Sequence, residues 1–173
     1  MAMRFFQMSK PRPISSFESN QLLGLIKATI DKRGTQYPNP AVGAMVIKDD
    51  VVISEGYHLR HGDSHAEVIA LSLAGSEAIG STLLVTLEPC VHAGKTPPCV
   101  DAIIAAGVSR VIWAFNDPNP LVNGKAIRFL EEQSMDVLPH CMPDLGVKCL
   151  PEFHSYFAFK RPYIYVKAAV SLD

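Results

Sequence analysis

A surplus of charge of either sign is what this sequence most plainly lacks: 16 Lys and Arg stand against 17 Asp and Glu, for a formal net charge of −1. A nucleic-acid backbone is normally bound by a clearly basic face, so the balance argues against nucleic acid and favours a small-molecule partner. Nor does any apolar run approach the roughly 20 residues that a membrane-spanning helix needs, which argues against a membrane partner. The stretch Met1–Ser16 carries Arg4, Lys10 and Arg12 and no acid before Glu18. Its Phe5-Phe6 pair is too short for the apolar core of a signal peptide, so residues 1–15 are expected to be a flexible tail. Cysteine is sparse, with four in 173 residues. Cys141 and Cys149 lack the C-x-x-C spacing of a redox pair, and free thiols in a reducing, cytoplasmic compartment fit best. Hydrophobic residues reach 48%, enough for one domain with a substantial core.

What is present concentrates between His65 and Cys99. The segment reads S-H-A-E-V-I-A-L, then a strand, then T-L-E-P-C-V-H-A-G-K-T-P-P-C. His65, Cys90 and Cys99 are zinc-type donors. Three such ligands leave one tetrahedral position of Zn²⁺ to water, whose pKa falls toward neutrality. Glu67, two residues after the histidine, is placed to carry protons. His-x-Glu followed by Pro-Cys and a further Cys is the pattern of zinc-dependent nucleobase deaminases, so hydrolytic deamination is the expected reaction class. The competing reading is a structural zinc closed by a fourth ligand. His92 is the candidate for it, but its spacing of two from Cys90 is awkward for joint ligation, and it is taken as lying outside the ligand set. Glu88, directly before Pro89, is readable as a surface carboxylate.

Along the chain, Ser15 and Ser16 offer N-caps, and Leu22, Leu23, Ile26 and Ile30 predict a helix over about Phe17–Arg33. Pro38-Asn39-Pro40 is a rigid turn that can hold an amide side chain still, although such an Asn often only satisfies the local backbone. Ala41–Ile47 and Val51–Tyr57 flank Lys48-Asp49-Asp50 and predict a hairpin. Ser64 is the expected cap of a helix from His65 to about Leu73. Ser81–Thr86 and Arg110–Phe115 are continuous apolar runs, as in strands buried on both faces. Cys99–Ala106 is an expected helix closed by Gly107, Gly124–Gln133 another, and Asp136–His140 a short strand. Pro143–Phe157 should be helical, with Pro151 delaying or kinking it. An initial hairpin followed by alternating strands and helices means an α/β layered fold, mostly parallel beyond the hairpin. The loops after the strand carboxyl ends, Glu88–Thr96 and Asn116–Asn123, should then lie side by side at the site. After Lys160-Arg161-Pro162, a linker-like turn, Tyr163–Val170 reads as a fresh apolar strand that needs a partner.

With P-N-P-A-V-G at 38–43, G-Y-H at 56–58, H-A-E at 65–67, the long cysteine-bearing motif at 86–99 and D-P-N-P at 117–120, the chain resembles the deaminase half of the bifunctional deaminase/reductases of riboflavin biosynthesis. The wide spacing of Cys90 and Cys99 separates it from cytidine, deoxycytidylate and tRNA adenosine deaminases, which use P-C-x-x-C; Ala93 stands where their second Cys would fall. The resemblance implies a cytidine deaminase-like, three-layer α/β/α sandwich around a mixed five-stranded sheet. It implies a zinc-dependent aminohydrolase with His65, Cys90 and Cys99 on the metal, Glu67 as proton shuttle, and Asn39, His58, Lys95, Asp117 and Asn119 at the substrate. The implied substrate is 2,5-diamino-6-ribosylamino-4(3H)-pyrimidinone 5′-phosphate, hydrolysed to 5-amino-6-(5-phosphoribosylamino)uracil and ammonia. Residues 16–159 would be the deaminase domain and 160–173 a linker and first strand of a reductase domain, whose body, with its NADPH site, is absent from this sequence. A homo-oligomer is expected, with a reductase in cis if the chain is a fragment. The chain departs from the family at Ala126, where a glycine is usual, and matches it poorly over Glu131–Phe159.

Overall fold

Two strands whose residues are almost all apolar occupy the middle of a five-stranded sheet. They are β3 (Thr82–Leu87) and β4 (Arg110–Phe115), and every residue of β4 is buried. The structure, a computed structural model, describes residues 10–34, 36–94 and 96–169. β1 (Gly43–Lys48) and β2 (Val51–Tyr57) form the expected antiparallel hairpin, and β5 (Asp136–Leu138) closes the far edge. The sheet order is β2-β1-β3-β4-β5. β1 runs antiparallel to both β2 and β3, whereas β3, β4 and β5 are mutually parallel, with Leu83 opposite Val111 and Val111 opposite Val137.

Because side chains alternate across a strand, each central strand feeds two cores. Ala44, Val46, Leu83, Val85, Val111 and Trp113 face one layer, packed by α2 (Ala66–Ala74), α3 (Cys99–Ala106) and α4 (Ala126–Glu131). Met45, Ile47, Leu84, Ile112 and Ala114 face the other, packed by α1 (Ser16–Asp31) through Leu22, Leu25 and Ile26, and by Cys149 and Leu150. Pro151 divides the predicted last helix into α5 (Pro143–Cys149) and α6 (Pro151–Phe159). Proline has no N–H for a helix interior but suits a first turn, so the helix restarts there. The result is the expected α/β/α sandwich.

Local signals explain the ends. Ser15 caps α1 by accepting from the Glu18 N–H while Glu18 accepts from the Ser15 N–H, a reciprocal capping box. α1 ends at Asp31, short of the expected Arg33. The cap of α2 is His65 and not Ser64, so the histidine stands at the helix entrance and Glu67 in its first turn. Gly56 explains how α2 reaches the hairpin: a β-carbon there would overlap the Ala66 carbonyl oxygen and the Ala70 nitrogen. β5 stops at Leu138 and α4 at Glu131, both shorter than expected.

Two expectations for the chain ends change. Residues 1–9 lie outside the described residues, but 10–15 are not a free tail. The Arg12 guanidinium bonds Glu18 at 2.7 Å, and the buried Arg110 donates to the carbonyls of Arg12 and Pro13. Residues 162–169 carry no strand, and Tyr163, Ile164, Tyr165 and Val166 are exposed. A strand is held by its ladder partner, and among the described residues none pairs with this segment; residues 170–173 lie outside them.

Candidate active site

Three loops and two helix entrances meet at the carboxyl ends of β3 and β4, and this brings His65, Cys90 and Cys99 together. Their donor atoms all lie within 4.8 Å of one another. His65 Nδ1 is 3.1 Å from Cys99 Sγ and 3.5 Å from Cys90 Sγ. Around a tetrahedral zinc, bond lengths near 2.0 Å to nitrogen and 2.3 Å to sulfur put such atoms about 3.6 Å apart. The donor set thus fits zinc in both chemistry and spacing. His92 is exposed and does not join the group among the described residues.

Helix entrances condition these donors. Cys99 opens α3 after Pro97-Pro98, and its N–H donates to Cys90 Sγ at 3.3 Å. Free N–H groups and the dipole of a helix N-terminus favour thiolate. The bond from Cys99, with His65 behind it, holds the Cys90 thiol well below its ordinary range. Hydrogen bonding between the two cysteine side chains, then burial, pushes Cys99 up. The bond to Cys90 raises His65.

Glu67 is only 3% exposed. Burial pushes its carboxyl up to about 7, and the negative character of Cys90 adds to this. A carboxyl near neutrality can both take and give a proton at cell pH. His58, 4% exposed, sits edge-on to His65 with ring centroids 5.2 Å apart. Its Nδ1 donates to the Ser64 carbonyl at 3.1 Å and its Nε2 accepts from Asn39 Nδ2 at 3.0 Å. Burial pushes the His58 pKa down, in keeping with a neutral ring that accepts at one nitrogen. The sequence expected a rigid Pro-Asn-Pro turn; what orients the amide in addition is this histidine.

Asp117 and Asn119 follow β4. The Asn119 N–H donates to Asp117 Oδ1 at 2.7 Å, and Asn119 Oδ1 accepts from the Leu121 N–H at 3.0 Å. Asp117 is 7% exposed, and burial pushes it up to about 7 against the pull of that N–H. Asn39, His58, Glu67, Asp117 and Asn119 all line one open cleft of about 1040 Å³ with His65 and Cys90, and α6 and residues 160–163 form part of its wall. Lys95 lies outside the described residues.

Two residues escaped the sequence reading. Glu88 is buried, not a surface carboxylate, and both its oxygens accept backbone N–H groups from the loop after β4. Its one sequence signal was an acid wedged between an apolar strand and Pro89. Thr96 Oγ1 lies 3.5 Å from His65 Nε2, the ring nitrogen that faces away from the sulfurs.

The family profile of the cytidine and deoxycytidylate deaminase zinc-binding region matches residues 18–115. The riboflavin biosynthesis protein RibD of Aquifex aeolicus is 41% identical over 160 residues, which cover 92% of this chain and 45% of that protein. The diaminohydroxyphosphoribosylamino-pyrimidine deaminase of Buchnera aphidicola subsp. Schizaphis graminum is 48% identical over 103 residues, 60% of this chain and 70% of that one. The solved structure of Acinetobacter baumannii RibD superposes with a TM-score of 0.76 at 42% identity, covering 83% of this chain and 42% of that one. The chain thus spans less than half the length of the RibD relatives it matches here. With the zinc-type triad, its neighbouring carboxyl and the sheet order all in place, the chain belongs to the zinc-binding cytidine and deoxycytidylate deaminase family, among the deaminases of riboflavin biosynthesis.

Proposed function

We propose that this chain catalyses the hydrolytic deamination of 2,5-diamino-6-ribosylamino-4(3H)-pyrimidinone 5′-phosphate, giving 5-amino-6-(5-phosphoribosylamino)uracil and ammonia. The observation that carries the reading is the convergence of His65, Cys90 and Cys99 within 4.8 Å, with His65 and Cys90 in the same cleft as the buried Glu67. Zinc held by those three residues would supply a Lewis acid that makes water nucleophilic near neutral pH. Glu67 takes one proton from the attacking water and passes it to the ring nitrogen beside C2. The second proton goes by the same carboxyl to the leaving amine, so the C–N bond breaks with release of ammonia and a carbonyl remains. Asn39, His58, Lys95, Asp117 and Asn119 form the substrate-binding set. Within it His58 holds the Asn39 amide, Lys95 offers a charge to the phosphate, and Asp117 and Asn119 offer acceptors and donors to ring and ribose.

Residues 16–159 are assigned to the deaminase domain, and 160–173 to a linker into a reductase domain in cis, to which NADPH would belong. Cytoplasmic placement and homo-oligomeric assembly are part of the same proposal. No helix among the described residues is long and apolar enough to cross a membrane. The test is ammonia release by zinc-loaded protein from the diaminopyrimidinone ribosylamino phosphate, beside cytidine and guanine. Release from the first compound alone supports the proposal. Silence on it with zinc bound, or release from cytidine or guanine instead, refutes it.

A further inference from the structure

We propose that Glu88 is a positioning residue: its carboxylate clasps the loop after β4 and thereby sets Asp117 and Asn119 at the substrate. Its backbone is fixed first, because the Glu88 N–H donates to the Phe115 carbonyl at 3.0 Å and lengthens the pairing of β3 with β4 by one step. The side chain then turns into the loop. Oε2 accepts from the N–H groups of Asp117 at 3.4 Å and Gly124 at 3.0 Å, and Oε1 accepts from that of Ala126 at 3.2 Å.

These three donors bracket the whole loop. Asp117 is its entrance, Gly124 its last tight turn with φ +73°, and Ala126 the first residue of α4. One carboxylate therefore ties the strand that leads to Cys90 to both ends of the segment bearing Asp117 and Asn119. At 3% exposure water does not replace these bonds cheaply. Two oxygens serving three donors also explain why an acid stands here. A glutamine of the same shape has one acceptor oxygen, and its NH2 would face at least one N–H head-on.

This inference rests on Asp117 and Asn119 contacting substrate, as proposed above. The experiment is Glu88→Gln in the full chain, with KM, kcat, zinc content and amide hydrogen exchange measured together. The expected result is unchanged zinc stoichiometry, faster exchange at Gly124 and Ala126, and a KM raised about tenfold, with kcat reduced much less. Gly124→Ala, which forces a side chain onto a left-handed backbone without meeting an occupied space, strains the same loop from its other end and should raise KM in the same sense. It keeps the test alive if Glu88→Gln does not fold. In an Asp117→Ala, Asn119→Ala background, Glu88→Gln should add little further to KM, because the contacts it positions are already gone. Wild-type KM in the variants overturns the inference, as does loss of zinc in Glu88→Gln, which would place the action of Glu88 on Cys90. The exchange measurement needs no substrate, so it separates a failed clasp from a failed assignment of the reaction.

Discussion

Glu67 and His65 stand two positions apart, yet they face different tasks because one caps α2 and the other lies inside its first turn. Replacing Glu67 by Gln keeps the shape and removes the proton carrier. Turnover should fall by about 10²–10⁴-fold with zinc bound at the wild-type ratio, read by ammonia release beside metal analysis; retention of most activity would remove Glu67 from the proton path. His65→Ala or Cys99→Ser should lose the metal itself. Because zinc binds the native site, stripping it with a chelator should lower the melting temperature of the parent protein and leave that of either variant unmoved. These residues were legible in the sequence, since ligand type and spacing are local. Glu88 was not, because its donors lie 29, 36 and 38 residues further on and are backbone groups, which no side-chain pattern announces.

The entrance of α2 depends on how closely that helix lies on β2, and Gly56 sets the distance. Gly56→Ala forces the two apart, and the overpacking should cost about 1–3 kcal/mol. Urea unfolding checks this, and weakened zinc affinity should accompany it because His65 and Glu67 move with the helix. At the other end of the chain, α6 carries His154, whose Nε2 is buried with no hydrogen-bond partner among the described residues. Burial lowers its pKa below the ordinary 6.5. The unfolded state therefore binds the proton more readily, so this contribution to stability is whole above about pH 6.5 and is lost as the pH falls through the lowered value. Amide exchange in α6 should quicken over that range in the parent and lose this pH dependence in His154→Leu. Element types were legible within the sheet and its covering helices, though not after Pro162, where the expected strand is missing among the described residues. α3 and β4 fall on their expected bounds because Pro97-Pro98, Gly107 and a continuous apolar run mark them. α4 and β5 came out shorter, since their ends have no comparably strong local stop signal.

Across the whole molecule, the end of the sheet opposite the cleft is closed by an ionic knot. Arg110 opens β4 with its side chain 3% exposed, pairs with Asp136, lies 3.4 Å from Glu18, and bonds the backbone of residues 12 and 13. Removing one member of a buried pair strands the other, so Arg110→Leu should cost about 3–5 kcal/mol. Denaturant unfolding measures the loss, and quicker proteolysis within residues 10–15 should accompany it; an unchanged midpoint would show that the pairing carries no stability. This knot joins segments far apart in sequence, and nothing near Arg12 foretold it. The sequence by itself determined the donors for zinc, the carboxyl beside them and the order of strands and helices. Spacing, periodicity and capping are all short-range properties that residue types encode directly. Only the tertiary structure decided which buried acid clasps which loop, that His58 orients Asn39, that residues 10–15 are tied down, and that α6 walls the cleft. Those contacts exist because burying both faces of one sheet brings distant segments together, and their partners are largely main-chain groups common to every residue.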